Sequence, residues 1–339
     1  MAKQGTKVTV ADIAKKAGVS VATVSNAMNG TGRMAEATRE KVRKAMDELG
    51  FVRDYSAAKL RTGRSRLVGV LIQDVANPFY GEFSATFEAV LTRRGFLPIL
   101  ANIGEDRERQ ASMIAEVLAH GVAGMVISPC ASSIAKDLAP IINQRIPCVT
   151  FVREVDGLPF DFVGADDYEG AALAARQFLA DGHRNFAVIG GLEETTTGHL
   201  RVKGFVETLK SEGIAEENIH VVQGPQSRAF GRQGAEELLK SGAAFTAVFC
   251  HNDLVAMGAS AGFIENGRHI GKDLSLIGFD NLPEAELWSP PLTSVEIGPR
   301  SIGDQVAEWL VERMEGQSGP ARATRLRPRL VVRKSTVTA

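Results

Sequence analysis

The sequence predicts an N-terminal all-α helix-turn-helix domain with a hinge helix, followed by an α/β body of two doubly wound parallel-sheet subdomains. Three observations carry this. First, the formal net charge of −1 over 339 residues hides a split: residues 1–66 hold 14 Lys and Arg against 6 Asp and Glu, a balance of +8, leaving −9 on the rest. Second, the first 50 residues carry helical spacing punctuated by caps and glycines. Third, nine short apolar runs alternate with helix-length segments from residue 67 onward.

In the basic segment, Thr9 and Asp12 provide the N-cap and N3 acid of a first helix with Val10, Ile13, Ala14 and Ala17 inward. Gly18 ends it. Ser20 caps a second helix, VATVSNAM, that stops at Asn29-Gly30, and a third runs over residues 36–49 with Val42, Ala45, Met46 and Leu49 inward. Two short helices around a Gly-containing turn, closed by a third, form a helix-turn-helix pattern. Its chemistry suits double-stranded DNA. Thr23 and Ser25 are small hydroxyl residues fit for phosphate oxygens at a helix N-terminus, Asn26 can pair with an adenine edge, and Val21 and Ala22 can touch thymine methyls. A three-helix protein-interaction domain is the alternative.

Residues 54–66, DYSAAKLRTGRSR, link this module to the body and bring Lys59, Arg61, Arg64 and Arg66 around Leu60. In the body, LVGVLIQD (67–74), FLPILANI (96–103), AGMVISPC (123–130), PCVTFV (147–152), FVGAD (162–166), NFAVIGG (185–191), IHVVQG (219–224), TAVFCHN (246–252) and LSLIGFDN (274–281) read as strands. Continuous apolar strands between helices indicate parallel sheets covered on both faces. Nine exceed a comfortable single sheet, so two subdomains with a ligand cleft between them are expected, the break falling near residues 163–167.

Enzyme signatures are missing. The chain has no G-x-x-x-x-G-K-[ST], no G-x-G-x-x-G after a strand and no H-E-x-x-H, and its 6 His are scattered. Gly258-Ala-Ser260-Ala-Gly262 fits G-x-S-x-G, but Ser260 falls two turns into a helix instead of at a strand-to-helix turn, so it reads as a small packing residue. Cys130, Cys148 and Cys250 show no C-x-x-C spacing, and reduced thiols in the cytoplasm are expected. The charged start lacks the apolar core of a signal peptide, and no apolar run approaches a membrane span. No metal and no cofactor is expected.

The run VTVADIAKKAGVSVATVSNAMNG, followed by TREKVRKAMDELGF, resembles the DNA-binding domain of the lactose-repressor/galactose-repressor (LacI/GalR) family. That resemblance places Val21, Ala22 and Asn26 at base-reading positions; Asn26 stands where many members carry Arg or His. It also implies that residues 54–66 fold into a hinge helix on operator DNA. Leu60 would wedge into the minor groove, Lys59 would lie beside it, and Ala57 would let two hinge helices approach. This requires a homodimer on a pseudo-palindromic operator. Thr9, Ser20, Thr23 and Ser25 complete the expected DNA-binding set.

The resemblance continues over residues 67–336. Asn77-Pro-Phe79-Tyr80, Arg201-Val-Lys-Gly-Phe205, His251-Asn252-Asp253, Ile277-Gly-Phe-Asp280 and Ser289-Pro-Pro-Leu-Thr-Ser294 match family motifs. Such bodies are similar to periplasmic binding proteins and bind small effectors. The implied effector residues are Phe79, Tyr80, Arg153, Arg201, Asn252 and Asp280. Arg201 can fork to hydroxyls or an anion, or hold a structural ion pair. Asn252 and Asp280 can bond hydroxyls or cap helices, and Phe79 can face a ring or fill the core. Val152-Arg153 stands where many sugar-responsive members carry Asp-Arg. This leaves a cation that either favours a sugar acid or phosphate or pairs with Glu154 or Asp156 at the surface.

The expected partition is 1–53 for the helix-turn-helix domain, 54–66 for the hinge, 67–165 plus about 297–326 for one subdomain, and 166–296 plus about 327–339 for the other. After Leu330 the sequence reads VVRKSTVTA, without a leucine heptad, so a dimer is expected over a tetramer. The expected function is a cytoplasmic transcriptional regulator, a repressor, controlled by a sugar-class metabolite. The alternatives are a nucleobase or other non-sugar co-repressor in the same architecture, a carbohydrate-active enzyme and a solute-binding protein.

Overall fold

A computed structural model describes residues 8–52 and 65–339. The chain divides into two compact units, residues 1–64 and 65–339. Ala57, Lys59 and Leu60 lie outside the described residues.

The first unit contains α1 (Val10–Ala17), α2 (Val21–Asn29) and α3 (Glu36–Glu48). Thr9 and Asp12 form a reciprocal capping box: Asp12 N donates to Thr9 Oγ1 at 3.3 Å, and Thr9 N donates to Asp12 Oδ2 at 2.9 Å. Gly18 closes α1 at φ 65°, the left-handed region that favours glycine. Ser20 caps α2 by accepting from Thr23 N at 3.0 Å. The three helices close over Ile13, Ala14, Val24, Val42 and Ala45, with Met28, Met46, Leu49 and Phe51 packed against them.

In the second unit the nine apolar runs become β1 (Leu67–Ile72), β2 (Leu97–Asn102), β3 (Gly124–Ile127), β4 (Cys148–Phe151), β5 (Asp161–Ala165), β6 (Phe186–Ile189), β7 (Ile219–Val222), β8 (Ala247–Cys250) and β9 (Ser275–Asp280). Three further strands escape the sequence reading: β10 (Thr293–Glu296), β11 (Ala323–Leu326) and β12 (Arg329–Val331). The helices are α4 (Pro78–Arg93), α5 (Arg107–Ala119), α6 (Ala139–Asn143), α7 (Asp167–Ala180), α8 (Thr196–Ser211), α9 (Arg228–Ser241), α10 (Asp253–Glu265), α11 (Pro283–Leu287) and α12 (Pro299–Met314).

Two six-stranded sheets result, ordered β11-β5-β4-β3-β1-β2 and β12-β10-β9-β8-β6-β7. The first is parallel throughout. The second departs from the expected all-parallel form, because β12 runs antiparallel to β10. The chain passes between the sheets after β5, after β10 and between β11 and β12, where only Arg327 and Pro328 intervene. Through these passages α12, which follows a strand of the second sheet, packs on α4 and the first sheet, and α7 packs on α8 and the second.

The central strands are buried along their length, while the edge strand β2 exposes Leu97, Ile99 and Leu100. Aromatic stacks fill both layers: Phe83 lies 4.3 Å from Phe151 and Phe205 lies 5.0 Å from Phe249, centroid to centroid. Small residues let helices close on one another. A Cβ at Gly258 of α10 would stand 1.9 Å from the carbonyl oxygen of Arg228 at the start of α9. Ser260 lies inside α10, buried, and accepts from Trp288 Nε1 at 3.5 Å. It packs within a helix, away from any strand-to-helix turn.

Six of the helices begin at side-chain caps that follow strands: Asn77, Asp106, Asp166, Thr195, Ser227 and Asn252. In parallel sheets these N-termini gather at the carboxyl ends of the strands, and that edge is where ligands bind.

Candidate nucleic-acid interface and effector cleft

On α2 the 3.6-residue repeat separates two faces. Val24 is fully buried and Ala27 and Met28 pack inward, while Val21, Ala22 and Asn26 are exposed together on the opposite side. Val21 is 51% exposed, an unusual placement for a branched apolar residue on a small module, and one that suits contact with a base methyl group. Thr31 Oγ1 donates to Asn26 Oδ1 at 3.4 Å, which orients the carboxamide. Thr23 and Ser25 are half-buried. Two of the expected DNA-contacting hydroxyls have structural work within the module: Thr9 completes the α1 capping box, and Ser20 bonds both Thr23 N and Thr23 Oγ1, the latter at 2.8 Å.

In the body, a pocket opens between the sheets, lined by Asn77, Phe79, Tyr80, Val152, Arg153, Thr197, Arg201, Gln226, His251, Asp280 and Ile297. It gathers five of the six expected effector residues. The sixth, Asn252, does not line it: its Oδ1 accepts from Val255 N at 2.9 Å and caps α10. Neighbouring Asp253 is likewise committed, accepting from Ser294 Oγ at 2.6 Å and Leu282 N at 2.7 Å. Burial, with Asp280 nearby, holds its carboxyl well above the ordinary range.

Arg201 projects from α8. Its Nε donates to Asp167 Oδ1 at 2.7 Å, its Nη1 donates to the His251 carbonyl at 2.7 Å, and Nη1 lies 3.7 Å from Asp280 Oδ1. The guanidinium also lies 3.6 Å above the Phe279 ring. Burial pushes the Asp280 carboxyl up to about 7; Arg201 opposes the rise and Asp167 adds to it.

Arg153 departs from the expected surface pairing. It is buried, not on the surface, and pairs with neither Glu154 nor Asp156. Its two terminal nitrogens grip Glu105 at 2.6 and 2.8 Å, and Nη1 reaches the Pro129 carbonyl at 3.1 Å. Glu105, in the turn after β2, is the carboxylate that pairs with Arg153. It also accepts from Ala131 N at 2.8 Å. Glu154 instead pairs with Arg325.

Phe79 and Tyr80 begin α4 behind the Asn77 cap, edge to face with each other at 5.3 Å. The Tyr80 hydroxyl donates to Gln73 Oε1, and burial raises its pKa to about 12, so it stays a neutral donor. Two lining residues occupy strained backbone, Val152 at φ 63° and Asp280 at φ 101°. Such conformations cost ~1–3 kcal/mol and cluster at binding sites.

Sequence reasoning missed Glu105, Asp167, Thr197, Gln226 and His251. His251 belongs to a matched motif, of which only Asn252 is among the expected effector residues. Glu105 is separated from Arg153 by 48 residues, and only the fold joins them.

A family model described as bacterial regulatory proteins, lacI family, matches residues 9–54, and one described as a periplasmic binding protein-like domain matches residues 175–336. The chain is 32% identical to the HTH-type transcriptional regulator DegA of Bacillus subtilis (strain 168), over 97% of this chain and 98% of DegA. It is also 32% identical to the HTH-type transcriptional repressor PurR of Vibrio vulnificus (strain CMCP6), over 96% and 97%. Among solved structures, the lac repressor dimer bound to operator and the anti-inducer ONPF aligns with a TM-score of 0.86 at 26% identity, covering 98% of this chain and all of that one. A LacI family transcriptional regulator from Enterococcus faecium with bound ribose aligns with a TM-score of 0.74 at 29% identity, covering 80% of this chain and 99% of that one. With a helix-turn-helix module, a two-sheet effector body and this full-length likeness, the chain belongs to the lacI family of bacterial DNA-binding transcriptional regulators.

Proposed function

We propose that this protein is a homodimeric repressor, acting in the cytoplasm and not as an enzyme, whose affinity for a pseudo-palindromic operator is set by a neutral sugar held between the two sheets. The observation that carries the ligand class is the charge balance of the pocket. Arg153 is matched by Glu105, and Arg201 by Asp167 with Asp280 beside it. Among the described residues that line the pocket, neither guanidinium is left without a carboxylate. Paired guanidiniums, a Tyr hydroxyl, Asn77, Thr197 and Gln226 instead offer the dense mix of donors and acceptors that a polyol needs.

The exposed face of α2 suits one half-site per subunit, and the exposed apolar residues Leu97, Ile99 and Leu100 on the edge strand β2 suit burial against a second copy. A ligand that bridges the sheets favours one relation of the two subdomains over another, and so biases a two-state equilibrium between high and low DNA affinity.

The test is selection of bound sequences from random duplex DNA, followed by titration of the selected site with D-ribose, D-glucose, cellobiose, D-gluconate, ribose 5-phosphate and hypoxanthine. A two-fold-related motif whose affinity changes with a neutral sugar is expected. A response confined to the anionic compounds or to the base would overturn the ligand class, and an absence of sequence preference would overturn the regulator reading.

A further inference from the structure

Within the pocket, one side chain has no internal role for its polar atoms. His251 is 1% exposed, yet both ring nitrogens, Nδ1 and Nε2, are buried without a hydrogen-bond partner. Buried polar side chains are nearly always satisfied, so one that is not calls for a functional explanation. Its backbone, by contrast, is fully engaged: His251 N donates to the Ile189 carbonyl at 2.9 Å, and its own carbonyl receives Arg201 Nη1. The main chain at His251 is therefore fixed while the ring nitrogens stay unpartnered.

The room it occupies is built for it. Gly190 and Gly191, at φ +89° and +90°, end β6 beside the ring. A Cβ at Gly191 would stand 3.2 Å from His251 Nδ1, and one at Gly190 would stand 3.1 Å from the His251 Cβ. A side chain at either position would crowd the imidazole.

We propose that the imidazole of His251 contacts the effector directly and exchanges a hydrogen bond with one of its hydroxyls, making this residue a determinant of ligand specificity. The inference rests on the neutral-sugar reading above. Burial, reinforced by the nearby charges of Arg201 and Arg153, keeps the ring in its neutral form. A neutral imidazole presents one donor and one acceptor. A hydroxyl is both donor and acceptor, so it complements either nitrogen in either tautomer. A carboxylate or phosphate oxygen only accepts, and leaves the lone-pair nitrogen unsatisfied.

The experiment uses the full chain and three proteins: wild type, His251→Phe and His251→Gln. Melting temperatures and calorimetric affinities are measured with D-ribose, D-glucose, cellobiose, D-gluconate, ribose 5-phosphate and hypoxanthine. His251→Phe replaces two unsatisfied polar atoms with an apolar ring of similar size, so its ligand-free Tm should equal or exceed that of wild type. Its affinity for the neutral sugar that stabilises wild type should fall by about tenfold or more, the scale of one lost hydrogen bond with a buried partner left unpaired. His251→Gln keeps a donor and an acceptor and should retain most of the affinity.

A His251→Phe protein that binds the same sugar as tightly as wild type overturns this inference alone. So does one whose ligand-free Tm drops, because the ring would then be structural. If no neutral sugar stabilises wild type, the sugar reading itself falls and takes the inference with it.

Discussion

Arg201 Nη1 donates to the backbone carbonyl of His251 at 2.7 Å, tying the middle of α8 to the residue that leads from β8 into α10. The same guanidinium holds Asp167 through Nε and covers Phe279. One side chain thus joins the ends of β8 and β9 to the start of α7 and forms part of the pocket wall. Structural ion pair and ligand-facing cation, which the sequence leaves as alternatives for Arg201, are compatible in this geometry.

Replacing Arg201 should therefore destabilise the body as well as weaken effector binding. Arg201→Ala leaves Asp167 and Asp280 buried without their cation, and removing one partner of a buried pair costs about 3–5 kcal/mol. The two carboxyls can relieve part of that cost by taking up protons. The loss in urea denaturation should accordingly be larger at pH 8 than at pH 5. An equal loss at both values would show that packing against Phe279, not charge, dominates.

Asp280 supplies a pH signature of its own. Its folded-state pKa is pushed up to about 7, above the ordinary carboxyl value of 3.8. Across that interval the folded state binds more protons than the unfolded state, so stability falls as pH rises. The contribution is fully present below pH 3.8 and is lost as pH climbs through 7. Asp280→Asn cannot titrate and should flatten this part of the stability curve between pH 4 and 7. Parallel curves for the two proteins would contradict the raised pKa. Effector affinity should also vary between pH 6 and 8 in wild type and not in the variant.

The sequence displayed most of the architecture and only part of the site, for physical reasons. Capping residues and glycines act locally, so α1 and α2 can be placed from Thr9, Gly18, Ser20 and Gly30 alone. Central strands such as β8 declare themselves because both faces are buried. The strands missed, β10, β11 and β12, are only three or four residues long, and the last two hold only exposed and half-buried residues, like a polar loop. Their pairing comes from the sheets they join, through β5 and β10. The charge state of the pocket was hidden for a similar reason: Glu105–Arg153 and Asp167–Arg201 are long-range pairs, created by strand order. Asn252 shows how a motif residue can carry a local role as well: of its two readings, effector contact or helix cap, the structure displays the cap through Oδ1.

At the DNA-reading module, Asn26→Ala should alter base preference while leaving the fold intact. Asn26 is exposed, and its side-chain contact with Thr31, at 3.4 Å, lies on the surface. A bidentate carboxamide contact contributes about 1–3 kcal/mol of discrimination at one base pair. The slope of affinity against salt should not change, because no phosphate-neutralising charge is removed. Competition binding with single-base operator variants at two salt concentrations checks both statements. Uniform weakening across all variants would reassign Asn26 to backbone contact.

The pairing of Arg153 with Glu105 leads to an engineered change of ligand class. Glu105→Gln keeps the side-chain shape and an acceptor oxygen for Ala131 N, but removes the charge that neutralises Arg153. The pocket then carries a buried cation in search of an anion, a state favouring ligands that bring a carboxylate or phosphate. The variant should be less stable than wild type when empty. It should gain about tenfold or more in affinity for D-gluconate or ribose 5-phosphate relative to the corresponding neutral sugar, a gain of about 1.4 kcal/mol in selectivity. Because that preference is electrostatic, it should decline as ionic strength rises, less steeply than for a surface pair, since burial limits screening. Calorimetric titrations of wild type and Glu105→Gln with each matched pair of ligands measure the switch. Unchanged selectivity would mean that Glu105 is not what holds the native site to neutral ligands.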